Sequence, residues 1–470
     1  MTIQTAPVTR KYSRPLWLLV VLSFSLAVKF AILFQSDSSQ WAANDTTSYI
    51  NSARALLQTG TFSISPENPE PQTIRTPGYP IFLAFIYGLV GENQMAVLAA
   101  QILFSLGTIA ITYWIGTKLW NSKIGFASAL LLALDMNSIG FSLLLLTETL
   151  FTFFLCAFLA VVVFLLDLGA PLAENRKRHL NAAFLAGLFL SVATHIRPIT
   201  YYLIPLVLVA WLILGFIKKW DRLAWIASWL AFFVPILVLI CGWQVRNSLQ
   251  TASPQFSAIE SVNMINYRAA MVIAERDGIS RDEAIHQITE ECNLNQNPGW
   301  NETWRRVGIG ILLENPQIFI KQYARSLADI FIGPGSETLA NLVGMEIKTS
   351  SPLGDLVRLL PGNYAERWIY PHPVYFSVFV ISMLHMLLIY FGTILWLAQL
   401  LFKRSIVIWP AVFLFGVAVY LALVSAGPEA YYRFRVPMTP MLVLLAASAM
   451  AGLFAKKQPV SQNSMSRSPT

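Results

Sequence analysis

Apolar residues form long runs along most of the chain, and short polar stretches separate the runs. A membrane-spanning α-helix needs about 20 consecutive apolar residues, and ten runs reach or approach that length. These runs lie at residues 16–34, 95–115, 124–142, 149–166, 180–194, 199–217, 223–242, 374–402, 406–426 and 436–454. The pattern predicts an all-α polytopic membrane protein with ten membrane-spanning helices.

Basic residues concentrate at one end of each predicted span. With the N-terminus inside, six clusters fall at inner ends, as the positive-inside rule requires. The clusters are Arg10/Lys11/Arg14, Lys118/Lys123, Arg176/Lys177/Arg178, Lys218/Lys219/Arg222, Lys403/Arg404 and Lys456/Lys457. The apolar stretch 79–90 is too short to span the membrane, and counting it as a span would place the later basic clusters outside. We therefore predict that it lies along the outer interface. We expect a multi-pass protein of the cell (inner) membrane with both termini inside.

Composition supports the same class of protein. The 470 residues are 56% hydrophobic and 12% charged, and the mean hydropathy is +0.57, which leaves no room for a large soluble domain. The formal net charge of +8 comes largely from the inner-end clusters, so it does not indicate nucleic acid as a partner. The cysteines are scattered, which argues against a disulfide framework or a cysteine-based metal site. The first apolar run has no small-residue cleavage site behind it, so we expect an uncleaved first helix.

The threading divides the chain into four parts. Residues 1–242 form a membrane module with a first outer loop at 35–94, residues 243–373 form an outer (periplasmic) segment, residues 374–455 hold the last spans, and residues 456–470 form an inner tail. The outer segment contains WNETWRRVGIGILLENPQIFIKQYARSLADIF, whose apolar residues recur at helical spacing between charges. We predict amphipathic helices there, lying over the mouth of a cavity. Because the inner loops are short, chemistry is expected on the outer face.

The first outer loop reads NDTTSYINSARALLQTGTFS, in which Asp45, Tyr49, Ala53 and Leu56 recur at helical spacing. The spacing predicts a short helix that starts near Asp45. An aspartate at that point is either a helix N-cap, favoured by its side chain and by the helix dipole, or a member of a functional site.

Three further charged residues stand at predicted outer ends. Arg75 precedes the turn Pro-Gly-Tyr-Pro, where a guanidinium could clamp a lipid phosphate or simply anchor to headgroups. Glu148 opens the run LTETLF with no local basic partner, so it is either a solvated helix start or part of a site. Arg197 lies with His195 in the turn ATHIRPITYY; His195 reads as part of a proline-marked turn, and Arg197 as either a headgroup contact or a site residue.

These motifs occur in an order and at a spacing that resemble a known group of enzymes. Asp45 with Tyr49, Gly60 and Phe62 is followed by RTPGYP and then by LTETLF. The set resembles glycosyltransferases of the family 39 type in the GT-C superfamily, which includes protein O-mannosyltransferases and the lipid A aminoarabinose transferase. The resemblance covers mainly residues 15–215, and EAYYRFRVPMTPMLVLLAA resembles the arginine-containing motif before the family's last helix.

The resemblance implies a GT-C-like helical bundle and a glycosyltransferase that uses a polyprenyl-phosphate sugar donor and a lipid, glycan or protein acceptor. In this group an acidic residue of the first outer loop serves the reaction, which maps onto Asp45, and Glu148 falls where another acid often lines the same cavity. Substrate binding would use Arg75, Arg197, Arg433, Tyr49 and Tyr79. The cofactor is unspecified; a divalent metal, where present, would bind Asp45 and Glu148, although Asn44 stands where some members carry a second acid.

The chemistry expected of such a site is a single displacement. Asp45 takes the proton of an acceptor hydroxyl, the oxygen attacks the anomeric carbon, and arginines stabilise the departing phosphate. If the segment around Arg433 and Arg435 is extended, the two side chains point to opposite faces, so only one enters the cavity; the resemblance selects Arg433. Inside the predicted spans, Lys29 and Asp135 either form an ion pair or line the cavity, and we expect the pair.

Two other classes of protein remain as alternatives. A transporter would carry broken helices in matching halves and polar groups near the middle of the membrane, whereas the acids and arginines here lie at one face. A polymerase or ligase of lipid-linked glycans would also work on the outer face, through arginine and histidine in a large outer loop. The first-loop aspartate and the TPGYP turn favour the glycosyltransferase.

Overall fold

The computed structural model describes residues 16–169, 174–218, 220–251, 253–291, 300–345, 373–402 and 409–454. Helices make up nearly all of the regular structure in this part of the chain, and the one β-bridge found there joins Ser63 to Pro71. The basic residues Arg10, Lys11, Arg14, Lys219, Lys403, Arg404, Lys456 and Lys457, Cys292 and the predicted inner tail 456–470 lie outside the described residues.

The helices are numbered in chain order. They are α1 Leu16–Gln35, α2 Thr46–Thr59, α3 Gly78–Val90, α4 Gln94–Leu119, α5 Ser122–Ala133, α6 Met136–Phe141, α7 Glu148–Leu168, α8 Arg176–Ile196, α9 Leu203–Lys218, α10 Arg222–Ile236, α11 Gly242–Thr251, α12 Ile259–Asn263, α13 Ala270–Asp277, α14 Arg281–Glu291, α15 Trp300–Glu314, α16 Pro316–Ile332, α17 Ser336–Leu342, α18 Pro373–Phe402, α19 Trp409–Ser425 and α20 Thr439–Phe454. Short 3₁₀ turns occur at Ser38–Gln40, Pro198–Thr200 and Tyr432–Met438, and π-helical stretches at Leu237–Cys241 and Met264–Ala269.

Eight helical segments of the described chain are long and apolar enough to cross a membrane, and they coincide with eight of the ten predicted spans. The chain is therefore a multi-pass membrane protein. The predicted span at 406–426 corresponds to the 17-residue helix α19, next to residues 403–408, which are not described. The stretch 79–90 forms the 13-residue helix α3, and its place at the outer interface stays a prediction.

The predicted span at 124–142 is wrong as one continuous helix. The chain leaves helical geometry at Asp135, where α5 has ended and α6 begins. Asp135 accepts hydrogen bonds from the backbone N–H and the hydroxyl of Ser138, so its carboxylate caps α6 and starts a new helix. Hydropathy alone does not register a cap of this kind inside an apolar run.

The expected ion pair between Lys29 and Asp135 does not form. The ammonium of Lys29 donates to the hydroxyl of Ser25 at 2.6 Å, while Asp135 is used as the cap of α6. Lys29 is nevertheless buried, with 1% of its surface exposed. A single helix turn therefore provides the hydrogen-bond partner that we had expected from another helix.

The polar connections that follow α2 and α8 pack onto each other at one end of the bundle, and α19 contacts the second of them. Thr76 Oγ1 donates to the carbonyl of Ile196 at the end of α8, and Tyr420 Oη on α19 donates to the carbonyl of Ile199 in the next turn. Helices α12 to α16 extend this end of the molecule. The helices predicted in WNETWRRVGIGILLENPQIFIKQYARSLADIF are present as α15 and α16.

Candidate active site

Asp45 occupies the N-cap position of α2 but does not cap the helix with its side chain. Its two carboxylate oxygens instead accept from two arginines: Arg75 Nη2 at 2.7 Å and Arg433 Nη1 at 2.9 Å. The predicted start of the helix near Asp45 is correct. A capping role for the carboxylate is not supported, because both oxygens bind guanidinium groups that lie far away in the sequence.

Arg75 is fixed from three sides by residues of the segment 45–75, which includes α2. Its backbone N–H donates to Gln72 Oε1 and its Nε donates to Ser48 Oγ at 3.0 Å. Its guanidinium carbon lies 5.0 Å from the ring centroid of Tyr49, within the range of a cation–π contact. These contacts hold the guanidinium against Asp45 in one orientation.

Gly78 allows the turn that carries Arg75 to reach the turn that carries Arg197. A Cβ atom at Gly78 would lie 2.7 Å from the carbonyl carbon and oxygen of His195, so any other residue would force these backbones apart. The hydrogen bond from Thr76 to Ile196 lies beside this contact. The close approach of the turns that carry Arg75 and Arg197 therefore depends on a backbone contact that only glycine permits.

Glu148 is completely buried, with none of its surface exposed, and binds two arginines at once. Arg197 Nη1 and Arg433 Nε both donate to its Oε1 atom, while Oε2 is buried without a hydrogen-bond partner. Arg197 also lies over the ring of Phe434, 5.2 Å from the centroid. Glu148 thus holds the guanidinium groups of Arg197 and Arg433 in place.

Arg433 connects the two acids, and Arg435 has a different role. Tyr432–Met438 is a 3₁₀ helix rather than an extended segment. Arg433 donates to both Asp45 and Glu148, whereas Arg435 turns away and donates to the carbonyl of Gly333 at 2.7 Å, at the end of α16. The arginine selected by resemblance is therefore the one that joins the acids.

We call Asp45, Arg75, Glu148, Arg197 and Arg433 the arginine cluster. Three guanidiniums face two carboxylates, so the arginine cluster carries one excess positive charge when all five groups are ionised. Their side chains are mostly withdrawn from solvent; Asp45 is the most exposed at 28%, and Arg433 is 11% exposed. In such surroundings the excess charge attracts an anion more strongly than an exposed arginine would.

The arginine cluster forms part of the wall of a cavity of about 1240 Å³. Asp45, Tyr49, Arg75, Arg197 and Arg433 line this cavity, and so do residues of α12 to α15 and of the connection 425–431. Helix α15 contributes Glu302 and Arg305 to the lining, and its position over the cavity mouth stays a prediction.

Two predicted site residues lie behind the wall. Glu148 is buried beneath the arginines, and Tyr79 is fully buried, donates to Gln101 Oε1 at 2.7 Å and packs edge-on against Tyr49. Neither side chain lines the cavity, and the assignments of Glu148 to catalysis and of Tyr79 to substrate binding stay predictions from the sequence. His195 is also outside the cavity wall; its Nδ1 lies 2.9 Å from the carbonyl of Ser191.

Local charges change the acidity of the groups that do reach the cavity. Burial raises the pKa of Asp45, but Arg75 and Arg433 outweigh it, and the net effect is a pKa below the usual value of 3.8. Burial raises the pKa of Tyr49 above its usual 10.0. At neutral pH Asp45 is therefore a carboxylate and Tyr49 a neutral phenol.

The two acids do not form a metal site. No group of three or more His, Cys, Asp or Glu side chains suited to a metal ion occurs among the described residues. Both carboxylates are directed at guanidinium groups, and a divalent cation placed between them would meet three positive charges. We therefore derive no step through a metal.

Sequence reasoning missed the polar residues that α12 and its π-helical continuation place on the cavity wall. Asn263, Asn266 and Arg268 line the cavity, and Arg268 pairs with Glu429 across 161 positions of sequence. The EAYYRFRVP motif, which begins with Glu429, was the one sequence signal for this part of the wall. Only its arginines were considered as candidate site residues.

A family model described as dolichyl-phosphate-mannose-protein mannosyltransferase matches residues 74–241. This is less than half of the chain; it includes Arg75, Glu148 and Arg197 but neither Asp45 nor Arg433. A comparison with curated proteins finds no match.

Solved structures of membrane enzymes align over most of the chain. The apo oligosaccharyltransferase of Archaeoglobus fulgidus gives a TM-score of 0.51 at 13% identity, covering 94% of this chain and 52% of that one. The oligosaccharyltransferase AglB of the same organism, with an inhibitory peptide and a dolichol-phosphate, gives 0.52 at 13% identity, with 94% and 51% covered. The apo structure of ArnT from Cupriavidus metallidurans gives 0.42 at 15% identity, with 92% and 77% covered.

This chain spans about half the length of the Archaeoglobus structures that it matches. The similarity establishes the fold: an all-α GT-C-like bundle, as the sequence predicts. The resemblance to GT-C membrane glycosyltransferases is likewise confirmed by the family model and by the fold.

Proposed function

We propose that this protein is a glycosyltransferase that moves a sugar from a polyprenyl-phosphate-linked donor to an acceptor on the outer face of the membrane. The observation that carries this proposal is the arginine cluster: three guanidiniums and the Asp45 carboxylate at the wall of a large cavity, with Glu148 buried behind them, in a bundle of membrane-spanning helices. The polyprenyl chain would stay in the bilayer while its phosphate reaches the arginines.

The charge of the arginine cluster matches that of the donor. A phosphate diester carries one negative charge, and the cluster has one positive charge in excess. When the bond to the sugar breaks, the phosphate becomes a monoester and approaches two negative charges at neutral pH. If Asp45 gains a proton in the same step, the cluster then holds two excess positive charges. The site thus becomes more positive as its ligand becomes more negative, which favours the transition state over the bound donor.

Asp45 serves as the base in this proposal. The acceptor oxygen forms a bond to the anomeric carbon, the bond from that carbon to the phosphate oxygen breaks with its electron pair going to the phosphate, and the hydroxyl proton passes to Asp45. In the free protein Arg75 and Arg433 lower the pKa of Asp45, which makes it a weak base. A bound phosphate draws the same two guanidiniums toward itself, so Asp45 binds a proton more readily once the donor is present.

Glu148 acts as a positioning residue. Its side chain does not line the cavity, so it acts through the arginines, because its Oε1 fixes both Arg197 and Arg433. Arginines held in this way need not reorganise as charge develops on the phosphate. The acceptor, which is a lipid, glycan or protein, would enter between α12 to α15 and the arginine cluster.

The comparisons support a lipid phosphate as ligand. The matched family model is named for an enzyme that uses dolichyl-phosphate-mannose, and the Archaeoglobus oligosaccharyltransferase was solved with a dolichol-phosphate. Both names refer to a sugar carrier of the polyprenyl-phosphate type, and the proposal extends that chemistry to this chain.

Replacing Asp45 tests the proposal. Asp45→Asn keeps the size of the side chain and its capping ability but removes the proton acceptor, so transfer should fall by about 10²- to 10⁴-fold. The matched control is Asp37→Asn in the same loop, because Asp37 does cap with its side chain, accepting from Ser39 N, and lies outside the cavity wall. The measurement is sugar transfer by the purified protein with saturating lipid-linked donor.

The two variants separate a base from a helix cap. We expect Asp37→Asn to transfer normally and Asp45→Asn to insert in the membrane, bind donor and fail in transfer. Near-normal turnover by Asp45→Asn would remove Asp45 from the reaction.

A further inference from the structure

A second set of polar side chains lines the same cavity and leaves hydrogen-bonding capacity unused. Ser261 Oγ, Ser425 Oγ and Glu429 Oε2 are buried atoms without a hydrogen-bond partner in the structure. The amide groups of Asn263 and Asn266 also line the cavity. We call Ser261, Asn263, Asn266, Arg268, Ser425 and Glu429 the hydroxyl-amide wall.

Arg268 and Glu429 make the hydroxyl-amide wall neutral. Arg268 donates from Nε at 3.2 Å and from Nη2 at 3.0 Å, and both bonds go to Glu429 Oε1. The pair cancels its own charge and leaves Oε2 available as an acceptor. Both side chains are partly exposed to the cavity, at 24% and 11%.

The backbone around Arg268 departs from α-helical geometry. The stretch Met264–Ala269 is π-helical and brings the successive residues Asn266, Tyr267 and Arg268 to the cavity wall. Single π-helical turns within helices are rare and occur frequently at functional sites. Here the turn directs an amide, a phenol ring and a guanidinium toward one space.

The chemistry of the hydroxyl-amide wall selects its ligand. A buried polar atom without a partner costs about 1–3 kcal/mol, so several in one wall indicate a ligand that supplies partners. The wall offers hydroxyl, amide and carboxylate groups with no net charge, and the Tyr267 and Tyr431 rings lie beside it. A sugar ring carries hydroxyls that both donate and accept, and an apolar face that packs on aromatic rings.

We propose that the hydroxyl-amide wall is a subsite for a neutral sugar ring. Sugar hydroxyls donate to Glu429 Oε2 and to the amide oxygens, and accept from Arg268 and the amide nitrogens. This inference rests on the proposed function and deepens it. Glu429 precedes Arg433 by four positions, so the ring can belong to the donor, next to its phosphate, or to a glycan acceptor.

Binding measurements with defined lipids test the donor as the source. The probes are undecaprenyl phosphate and undecaprenyl phosphate carrying glucose, galactose, mannose or N-acetylglucosamine, added to the purified full chain in nanodiscs. The variants are Asn266→Ala and Arg268→Gln. The matched control is Arg276→Gln, eight positions further along the same helical stretch and outside the cavity wall.

If the ring belongs to the donor, at least one sugar-bearing lipid binds the wild type more tightly than undecaprenyl phosphate does. Each variant should lose about five- to tenfold of that preference, as expected for one hydrogen bond or two. Affinity for undecaprenyl phosphate itself should stay unchanged, because that probe contacts the arginine cluster alone.

Transfer kinetics test the acceptor as the source. A membrane-glycan extract from a strain that lacks this gene is titrated as acceptor. If the ring belongs to the acceptor, the variants keep the wild-type lipid affinities and need about five- to tenfold more extract for half-maximal rate.

The inference is overturned if Asn266→Ala and Arg268→Gln behave like Arg276→Gln in both assays. That result leaves the proposed function intact as long as the wild type binds undecaprenyl phosphate and Arg433→Gln abolishes the binding. If the wild type does not bind undecaprenyl phosphate at all, the proposed function fails first.

Discussion

The arginine cluster and the hydroxyl-amide wall lie in one cavity but use their polar groups in opposite ways. In the arginine cluster every charged group already has an ion-pair partner within the protein. In the hydroxyl-amide wall, several buried oxygens have none. A ligand of the first region must compete with bonds that exist, whereas a ligand of the second completes bonds that are missing.

This difference indicates separate tasks. Paired charges hold their geometry in the absence of a ligand and respond when a new charge appears, as a reacting phosphate requires. Unpaired neutral groups contribute to binding only when a ligand of the right shape supplies their partners, which is a source of selectivity. The effects of mutations on protein stability should therefore differ between the two regions in sign as well as in size.

The largest effect is expected for Arg433→Gln. The substitution removes the ion pairs to both Asp45 and Glu148 and cancels the excess positive charge of the arginine cluster. We expect kcat/KM for transfer to fall by about 10³-fold, with a lower apparent melting temperature because two carboxylates each lose a partner. Arg325→Gln, on the exposed face of α16, is the control. A variant that binds donor and transfers normally would show that the excess charge is irrelevant.

A shift in pH dependence is expected for Arg75→Gln. A base must be ionised, so transfer is lost as the pH falls through the pKa of Asp45. Arg75 is one of the two groups that hold this pKa below 3.8, and burial raises it; removing Arg75 should therefore move the acid limb of kcat/KM to higher pH. The pH profile of Arg54→Gln, which loses a pair with Glu92 outside the cavity, should match the wild type. An acid limb that stays in place or moves to lower pH in Arg75→Gln would contradict the role of Asp45.

The smallest effect, and the one with reversed sign, is expected for Ser425→Ala. This change removes a buried hydroxyl that has no partner in the ligand-free protein, so stability should be unchanged or rise by up to about 1 kcal/mol. Ser326→Ala is the comparison, because that buried hydroxyl donates to the carbonyl of Gln322 and its loss should lower stability. Melting curves of the ligand-free proteins provide the measurement. A clear loss of stability in Ser425→Ala would mean that its hydroxyl is already satisfied.

The arginine cluster was largely accessible to sequence reasoning. Arg75, Glu148 and Arg197 were selected at predicted outer ends, Asp45 at the start of a helix in the predicted first outer loop, and Arg433 by resemblance. The ends of spans on one side of a membrane must lie near one plane. Membrane topology thus indicates which residues of distant segments lie at the same depth, and so which of them can form one site. The charge pattern and the fold resemblance then pointed to one site.

Other features depended on information that hydropathy does not carry. Glu148 was expected at a cavity surface, but a count of apolar residues cannot distinguish a wall residue from one buried behind it. The break at Asp135 comes from a local capping bond to Ser138. The Arg268–Glu429 pair joins segments 161 positions apart, and the sequence of α12 has no pattern that distinguishes a cavity wall from a solvent-facing side.

The bond between Asp45 and Arg433 joins residues 388 positions apart. At a synthesis rate of about 5–20 residues per second, the arginine follows the aspartate by roughly 20–80 seconds. During that interval Asp45 and Glu148 can pair only with Arg75 and Arg197, and the excess positive charge is absent. The excess positive charge of the arginine cluster therefore exists only after the chain has been made as far as Arg433, so the complete cluster forms late in synthesis.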